Sequence, residues 1–368
     1  MYELTNAQRR CFGLQPVEDR WIPLTLKPSP YDRHTTVAFL DGTVLKKVIL
    51  VKETQYTEYE IREELSEDLK YLLPKTAKGK PVLLSAATLS KRTGIGMSFS
   101  WSRSNGSTAI NLYNHHSQKT YYCNYYENTR SCEENNFVPW VAKWCAETTD
   151  RDLEDLACFV AAPRQHINFR AGDVFRFKIS RRLYGYGRIL MDYALMRKQK
   201  IPFWDVLMGK PLACSVYHIA TDRADVTVEE LKDLLSLPSV HMMDNKLYYG
   251  EFEIIGHIPI GDYEDYPIMY GNSLDVRHRV ILQCGKLYRQ KDHDYAQLGG
   301  FSNKSIAFHL NFKLDALLAC ITAKSNEPYW IQKDRQLFSR DLRNPKYRAE
   351  LEQVCRYFDI DPASLVRE

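Results

Sequence analysis

The stretch Gly172-Asp-Val-Phe-Arg-Phe-Lys-Ile-Ser-Arg-Arg-Leu-Tyr-Gly-Tyr-Gly-Arg188 decides how the chain is read. Across Gly172–Ile179 apolar and polar residues alternate, which is the period of a strand with one face buried. Leu183 to Leu190 is a second strand, punctuated by Gly185 and Gly187, and the bend between the two carries Arg181 and Arg182. Phe175, Phe177 and Tyr186 read as core, with Arg176, Lys178 and Arg188 as their solvated alternates. The same alternation also suits a protein interface, where Tyr, Trp and Arg dominate the binding energy. A nucleic acid is the third reading, with cations on phosphates and Tyr stacked on bases.

Working outward toward the C-terminus, Leu212 to Ile219 reads as a strand. Thr227-Val-Glu-Glu230 is a capping box opening a helix to about Leu235, before Pro238. Lys246 to Ile255 reads as another strand. Ile306, Leu310, Leu314, Leu317 and Ile321 define an amphipathic helix, and Asn344-Pro345 starts a last one carrying Tyr347, Leu351, Val354 and Phe358. Toward the N-terminus, Ala161-Ala-Pro163 breaks a helix that starts at Thr149 or Asp150, with Leu153, Leu156, Ala157 and Val160 on one stripe. An earlier helix near Pro139 puts Trp140, Val141 and Trp144 on one face.

Residues 1 to about 136 read mostly as β. Asp41-Gly42 joins Val37–Leu40 to Val44–Val51, and Ser102–Gly106 joins Met97–Trp101 to Thr108–Asn114. Thr120–Tyr126 is an aromatic strand. The expected fold is α+β in two domains. Residues 1–162 form a β-rich domain closed by two helices; residues 163–368 form a small, strongly bent β-sheet or barrel with packed helices.

Composition narrows the function. With 368 residues, 44% hydrophobic and 26% charged, the chain is globular rather than disordered or fibrous. Its 50 Lys and Arg against 46 Asp and Glu leave a net charge of +4, too mild to argue for nucleic acid alone. The 9 cysteines are odd in number, widely spaced and free of C-x-x-C pairs, so reduced thiols in a cytoplasm are expected. The first residues lack the apolar core of a signal peptide, and the most apolar stretch, Leu314–Ala323, is about half a membrane span.

Catalytic signatures are missing: there is no H-E-x-x-H, H-x-H, P-loop or G-x-S-x-G. Gly185-Tyr-Gly187 and Gly94-Ile-Gly96 read as bends where glycine relieves backbone crowding. His115-His116, adjacent on a strand, point to opposite faces and read as a polar strand end rather than a metal site. Glu251 and Glu253 share a strand face, a geometry that could hold an acid and a base but more often marks a solvated face or one that meets a basic partner. No metal and no cofactor are expected.

Ile167-Asn-Phe-Arg-Ala-Gly-Asp-Val-Phe-Arg-Phe-Lys178, followed by a Gly-Tyr-Gly-Arg strand, resembles the immunity protein 26 family. The likeness continues through Ile201-Pro-Phe-Trp-Asp-Val-Leu-Met-Gly-Lys-Pro211, Tyr217-His-Ile219 and Tyr249-Gly-Glu-Phe-Glu-Ile-Ile-Gly256, covering roughly residues 165–275. The resemblance implies a non-enzymatic, cytoplasmic immunity or antitoxin-like protein that binds and neutralises a cognate toxin, with no membrane partner. Some relatives carry a phosphotriesterase-like label, but the histidine set such a hydrolase needs is missing. A nucleic-acid-associated accessory protein and a hydrolase with an unrecognised site remain the alternatives. The residues expected to touch the partner are Arg181, Arg182 and Tyr184 at the bend, with Trp204 and Glu251 beside them.

Overall fold

The computed structural model describes residues 3–28, 34–126, 136–203, 210–272, 279–292, 306–307, 309–322 and 341–366. Its contacts divide the chain into two compact units, Met1–Gln165 and His166–Glu368, and the whole is α+β.

Unit 1 is built on a nine-stranded antiparallel sheet. Its main path runs β1 (Ile22–Leu26), β2 (Thr35–Asp41), β3 (Val44–Lys52), β4 (Gln55–Leu65), β7 (Met97–Ser104), β8 (Ser107–Asn114) and β9 (Lys119–Cys123). Two short strands, β5 (Tyr71–Leu73) and β6 (Val82–Leu83), branch from β4. The pairs β2–β3, β3–β4 and β7–β8 are each joined by a tight turn. Asn105 and Gly106 both adopt positive φ, 51° and 73°, as a two-residue hairpin loop between β7 and β8 requires.

One face of this sheet is closed by α1 (Asn6–Arg10), α3 (Phe137–Ala146) and α4 (Asp150–Ala161). Phe12 stacks on Phe99 at 4.4 Å, with Trp140 and Trp144 behind it. The expected face of α3, Trp140, Val141 and Trp144, is the buried one. On α4 the stripe is turned: Asp152 and Leu156 are buried and Phe159 packs on Tyr121, while Ala157 and Val160 face solvent. Asp152 is drawn inward because it closes the capping box with Thr149.

Unit 2 contains a six-stranded sheet ordered β14 (Glu253–His257), β10 (Asp173–Lys178), β11 (Tyr184–Asp192), β12 (Pro211–Thr221), β13 (Val240–Met243) and β18 (Ile306–Ala307). A three-stranded sheet, β15 (Ile268–Asn272), β16 (Arg279–Cys284) and β17 (Leu287–Asp292), packs under the helix Arg348–Phe358. The six-stranded sheet is open, with β14 and β18 at its ends, so no barrel forms.

Three expected elements are shorter or different. The capping box holds, but α6 (Val228–Leu231) is one turn long. Beyond it the Leu235 carbonyl accepts from the His218 N–H and Ser236 bridges Tyr217, so the edge of β12 claims the backbone that would have continued the helix. Lys246–Ile255 begins as a helical turn, α7 (Asn245–Tyr248), and becomes strand only after Gly250, at φ 68°. The helix expected from Ile306 starts at Leu314, because Ile306 and Ala307 pair instead with His241 and Met242 of β13.

Candidate partner-binding surface

The hairpin of β10 and β11 carries the surface, and its glycines explain its shape. Phe175 lies opposite Gly187 and Phe177 opposite Gly185. A Cβ on Gly187 would sit 2.5 Å from the Phe175 ring and 2.6 Å from the Ser215 carbonyl; one on Gly185 would sit 2.6 Å from Phe177. The glycines therefore give two phenyl rings room to lie across the neighbouring strand. Those rings gather on Phe252, at 5.3 Å and 5.2 Å between centroids, on one side of the sheet.

The other side carries Val174 and Tyr186, packed with Tyr217, Val226 and Leu231. The Tyr186 hydroxyl donates to the Arg223 carbonyl at 2.7 Å. Arg176 rises from the same face, lies 5.3 Å over the Tyr184 ring, and pairs with Glu253 at 2.5 Å. Arg188 pairs with Glu264, and Arg223 reaches both Asp225 at 3.2 Å and Glu230 at 2.9 Å. Hydrogen bonds from the Thr227 backbone and from Arg223 hold the Glu230 carboxyl down at about 2. Lys246 pairs with Glu251 at 2.6 Å. These cations are thus matched by acids, and the face is a mosaic rather than a bare positive groove.

Four of the five expected contact residues come to one end of the sheet. Arg181 is half-buried and Arg182 exposed in the bend; Tyr184 is half-buried beneath Arg176. Arg176 is opposite Glu253 in the register, so Glu251, two residues earlier, lies toward the same bend. Both Glu251 and Glu253 meet a basic side chain, but one from the same chain. Trp204 lies outside the described residues. Sequence reasoning missed Arg223, Asp225, Glu230 and Glu264 on this face. The capping box was a signal for Glu230, whose carboxylate also holds Arg223.

Other candidates for chemistry are structural. His115 Nε2 lies 3.0 Å from the Ser98 hydroxyl at the end of β8. Gly94 and Gly96 are glycines because a Cβ would strike His115 at 2.8 Å or the Glu60 carboxylate at 2.1 Å. His257 Nδ1 lies 2.8 Å from buried Asp173, which ties β14 to β10. Among the described residues no group of three His, Cys, Asp or Glu side chains is placed to hold a metal ion, and no helix is long and apolar enough to cross a membrane.

Residues 170–279 match the family model described as immunity protein 26, in agreement with the resemblance seen in the hairpin motif. The matched segment runs from β10 to the start of β16 and so contains the whole mosaic face. No curated protein and no solved structure matches the chain.

Proposed function

We propose that the protein is an immunity protein that neutralises a bacterial toxin by binding it, without chemistry of its own. In this reading the toxin docks on the end of the β10–β11 hairpin, contacting Arg181, Arg182, Tyr184 and Glu251. The observation that carries it is the mosaic face within the matched segment: Arg and Tyr side chains interleaved with Asp and Glu, with Arg176, Arg188, Arg223 and Lys246 each paired to an acid. Such a face favours a protein partner. It orients hot-spot residues in advance and offers both signs of charge for complementarity. A nucleic acid would instead want unmatched cations along a groove.

The test is the affinity for the toxin encoded beside this gene. Arg182→Ala removes an exposed side chain of the bend, and Arg181→Ala adds a half-buried one whose Nε is enclosed, so the double variant is compared with Arg182→Ala alone. A true hot spot costs at least ~2 kcal/mol, roughly thirtyfold in Kd by calorimetry, with Tm nearly unchanged. Tyr184→Ala should weaken binding too, and lower Tm somewhat because the ring packs on the Val174 cluster. Wild-type affinity in the double variant would remove the bend from the interface. Normal toxin binding with loss of a salt-sensitive affinity for DNA or RNA would favour a nucleic-acid role instead.

A further inference from the structure

No Asp or Glu occurs in the sequence between Asp68 and Glu127, and the start of that span carries Lys70, Lys75, Lys78 and Lys80. All four lie on or beside the hairpin of β5 and β6 in unit 1. Its loop is a closed turn. The Gly79 N–H donates to the Thr76 carbonyl at 2.7 Å, the Thr76 N–H to the Lys80 carbonyl at 3.0 Å, and the Lys80 N–H to the Thr76 hydroxyl at 3.0 Å. Gly79 supplies the positive φ, 72°, that the closure uses. Residues 73–81 are all exposed, and among the described residues Lys75, Lys78 and Lys80 pair with no acid.

The two strands below the loop have an inner and an outer side. Leu72 and Leu84 pack into the core, so the alternation turns Tyr71, Leu73 and Leu83 outward, with Tyr71 opposite Leu83 in the register. Leu73 is 36% exposed and Leu83 56%. The acids of this end stand at the root rather than the tip. Glu64 lies opposite Leu73, and Glu67 and Asp68 precede β5. Arg62 shares the strand face of Glu64, and Lys70 pairs with Asp68 at 3.3 Å.

We propose that this hairpin docks the protein on an anionic phospholipid surface, with the lysines among the headgroups and the leucines at the acyl boundary. Exposed aliphatic side chains beside unpaired lysines are the combination that interfacial binding uses: apolar area leaves water while cations meet acidic lipids. A nucleic acid would use the lysines and leave Leu73 and Leu83 in water, because base stacking wants aromatic faces. The loop is closed in advance, so docking does not have to order it. The contact is peripheral and needs no spanning segment. It lies outside residues 170–279 and does not depend on the immunity reading.

Cosedimentation of the full chain with vesicles tests this, comparing one part phosphatidylglycerol in two parts phosphatidylcholine with phosphatidylcholine alone. The mixed vesicles should take up the protein, less so as salt rises, and the neutral ones should not. Lys75→Gln with Lys78→Gln and Lys80→Gln, all in the exposed loop, should lower the affinity for mixed vesicles roughly a hundredfold, about fivefold for each cation. Leu83→Ser, at an exposed position, should lower it roughly threefold without changing the salt dependence. The proposal falls if the mixed vesicles take up no protein, if the two kinds of vesicle bind alike, or if either variant binds as the wild type does. Binding to single-stranded DNA that the triple variant loses, with no uptake on vesicles, would overturn it in favour of a nucleic acid.

Discussion

Each unit buries a cluster of charges among its described residues, and the two are built in opposite senses. In unit 1 the centre is an acid: Glu58, fully buried, accepts from Arg9 at 2.8 Å, Lys47 at 2.6 Å and the Tyr56 hydroxyl at 2.6 Å. In unit 2 the centre is a cation: Arg343 donates to Asp341 through Nε and Nη2, to Asp265 and Ser239 through Nη1, and to the Ser239 carbonyl. Both clusters tie one segment to distant parts of the unit: Arg9 joins α1 to β4, and Arg343, in the turn before the helix Arg348–Phe358, reaches Ser239 just before β13 and Asp265 in the connection before β15. They differ in what is left when the central charge goes. Lys47 can shed its proton, since burial already pulls its pKa below the usual lysine value in spite of Glu58, and Arg9 keeps Glu3 as a second partner. Arg343 leaves Asp341, fully buried and, among the described residues, paired with no other cation. A central acid with two adaptable cations is forgiving; a central arginine is not.

The largest effect should therefore come from Arg343→Met. Breaking a buried pair by removing one partner costs about 3–5 kcal/mol, most of it from the carboxylate left behind. Denaturant unfolding should show that loss, with faster amide exchange across residues 268–284 and 342–358. Adding Asp341→Leu removes the stranded acid and should recover part of the stability. A loss below about 1 kcal/mol would mean that Asp341 finds solvent more easily than its burial suggests.

Glu58→Gln should cost less, about 2 kcal/mol, because the amide still accepts one hydrogen bond and the cations have other outlets. Amide exchange should quicken over residues 4–14, where α1 and Phe12 are held down. If this variant matches Arg343→Met in cost, the contrast between the two centres is broken.

These clusters also mark where sequence reading ran out. The β10–β11 hairpin was legible because its signals are local: Phe175 and Phe177 alternate with charges, and the glycines that admit their rings lie within a few residues. The Asn105-Gly106 turn was legible for the same reason. β4 was not. Gln55-Tyr-Thr-Glu-Tyr-Glu-Ile-Arg-Glu-Glu-Leu65 looks too acidic for the middle of a sheet. Glu58 is tolerated there only because Lys47 and Arg9 meet it, and nothing in the local pattern announces a pairing across 49 residues. The bend of the candidate site was legible, but its acids were not. Glu253 and Glu264 are brought to Arg176 and Arg188 by strand order, which a periodicity cannot supply.

The smallest predicted effect distinguishes the units by acid. In unit 2, burial and then Lys246 and Lys313 lower the His309 pKa to about 4, and burial also lowers that of His218. The fold thus favours neutral imidazole. Its contribution is intact above the ordinary value of 6.5 and is lost as pH falls toward 4, where the unfolded chain takes up protons that the native state refuses. In unit 1 burial lowers the pKa of His115 in the same sense, but burial also raises that of Glu60. The native state there gains a proton on its carboxyl before the unfolded chain does, so acidification to the ordinary 4.5 relieves a cost and opposes the histidine. Burial raises the pKa of the Asp244 carboxyl of unit 2 as well, so the carboxyls offset one another. Among the described residues, the two lowered histidines of unit 2 against one in unit 1 should make unit 2 soften first between pH 6.5 and 4. His309 is partly solvated, so its share is roughly 1 kcal/mol after screening. His309→Gln should flatten that part of the stability profile, followed by amide exchange in β12 and the helix Leu314–Thr322, while leaving residues 97–114 of unit 1 unchanged. Equal acid sensitivity of the two units, unaltered by His309→Gln, would show that the buried histidines do not set the difference.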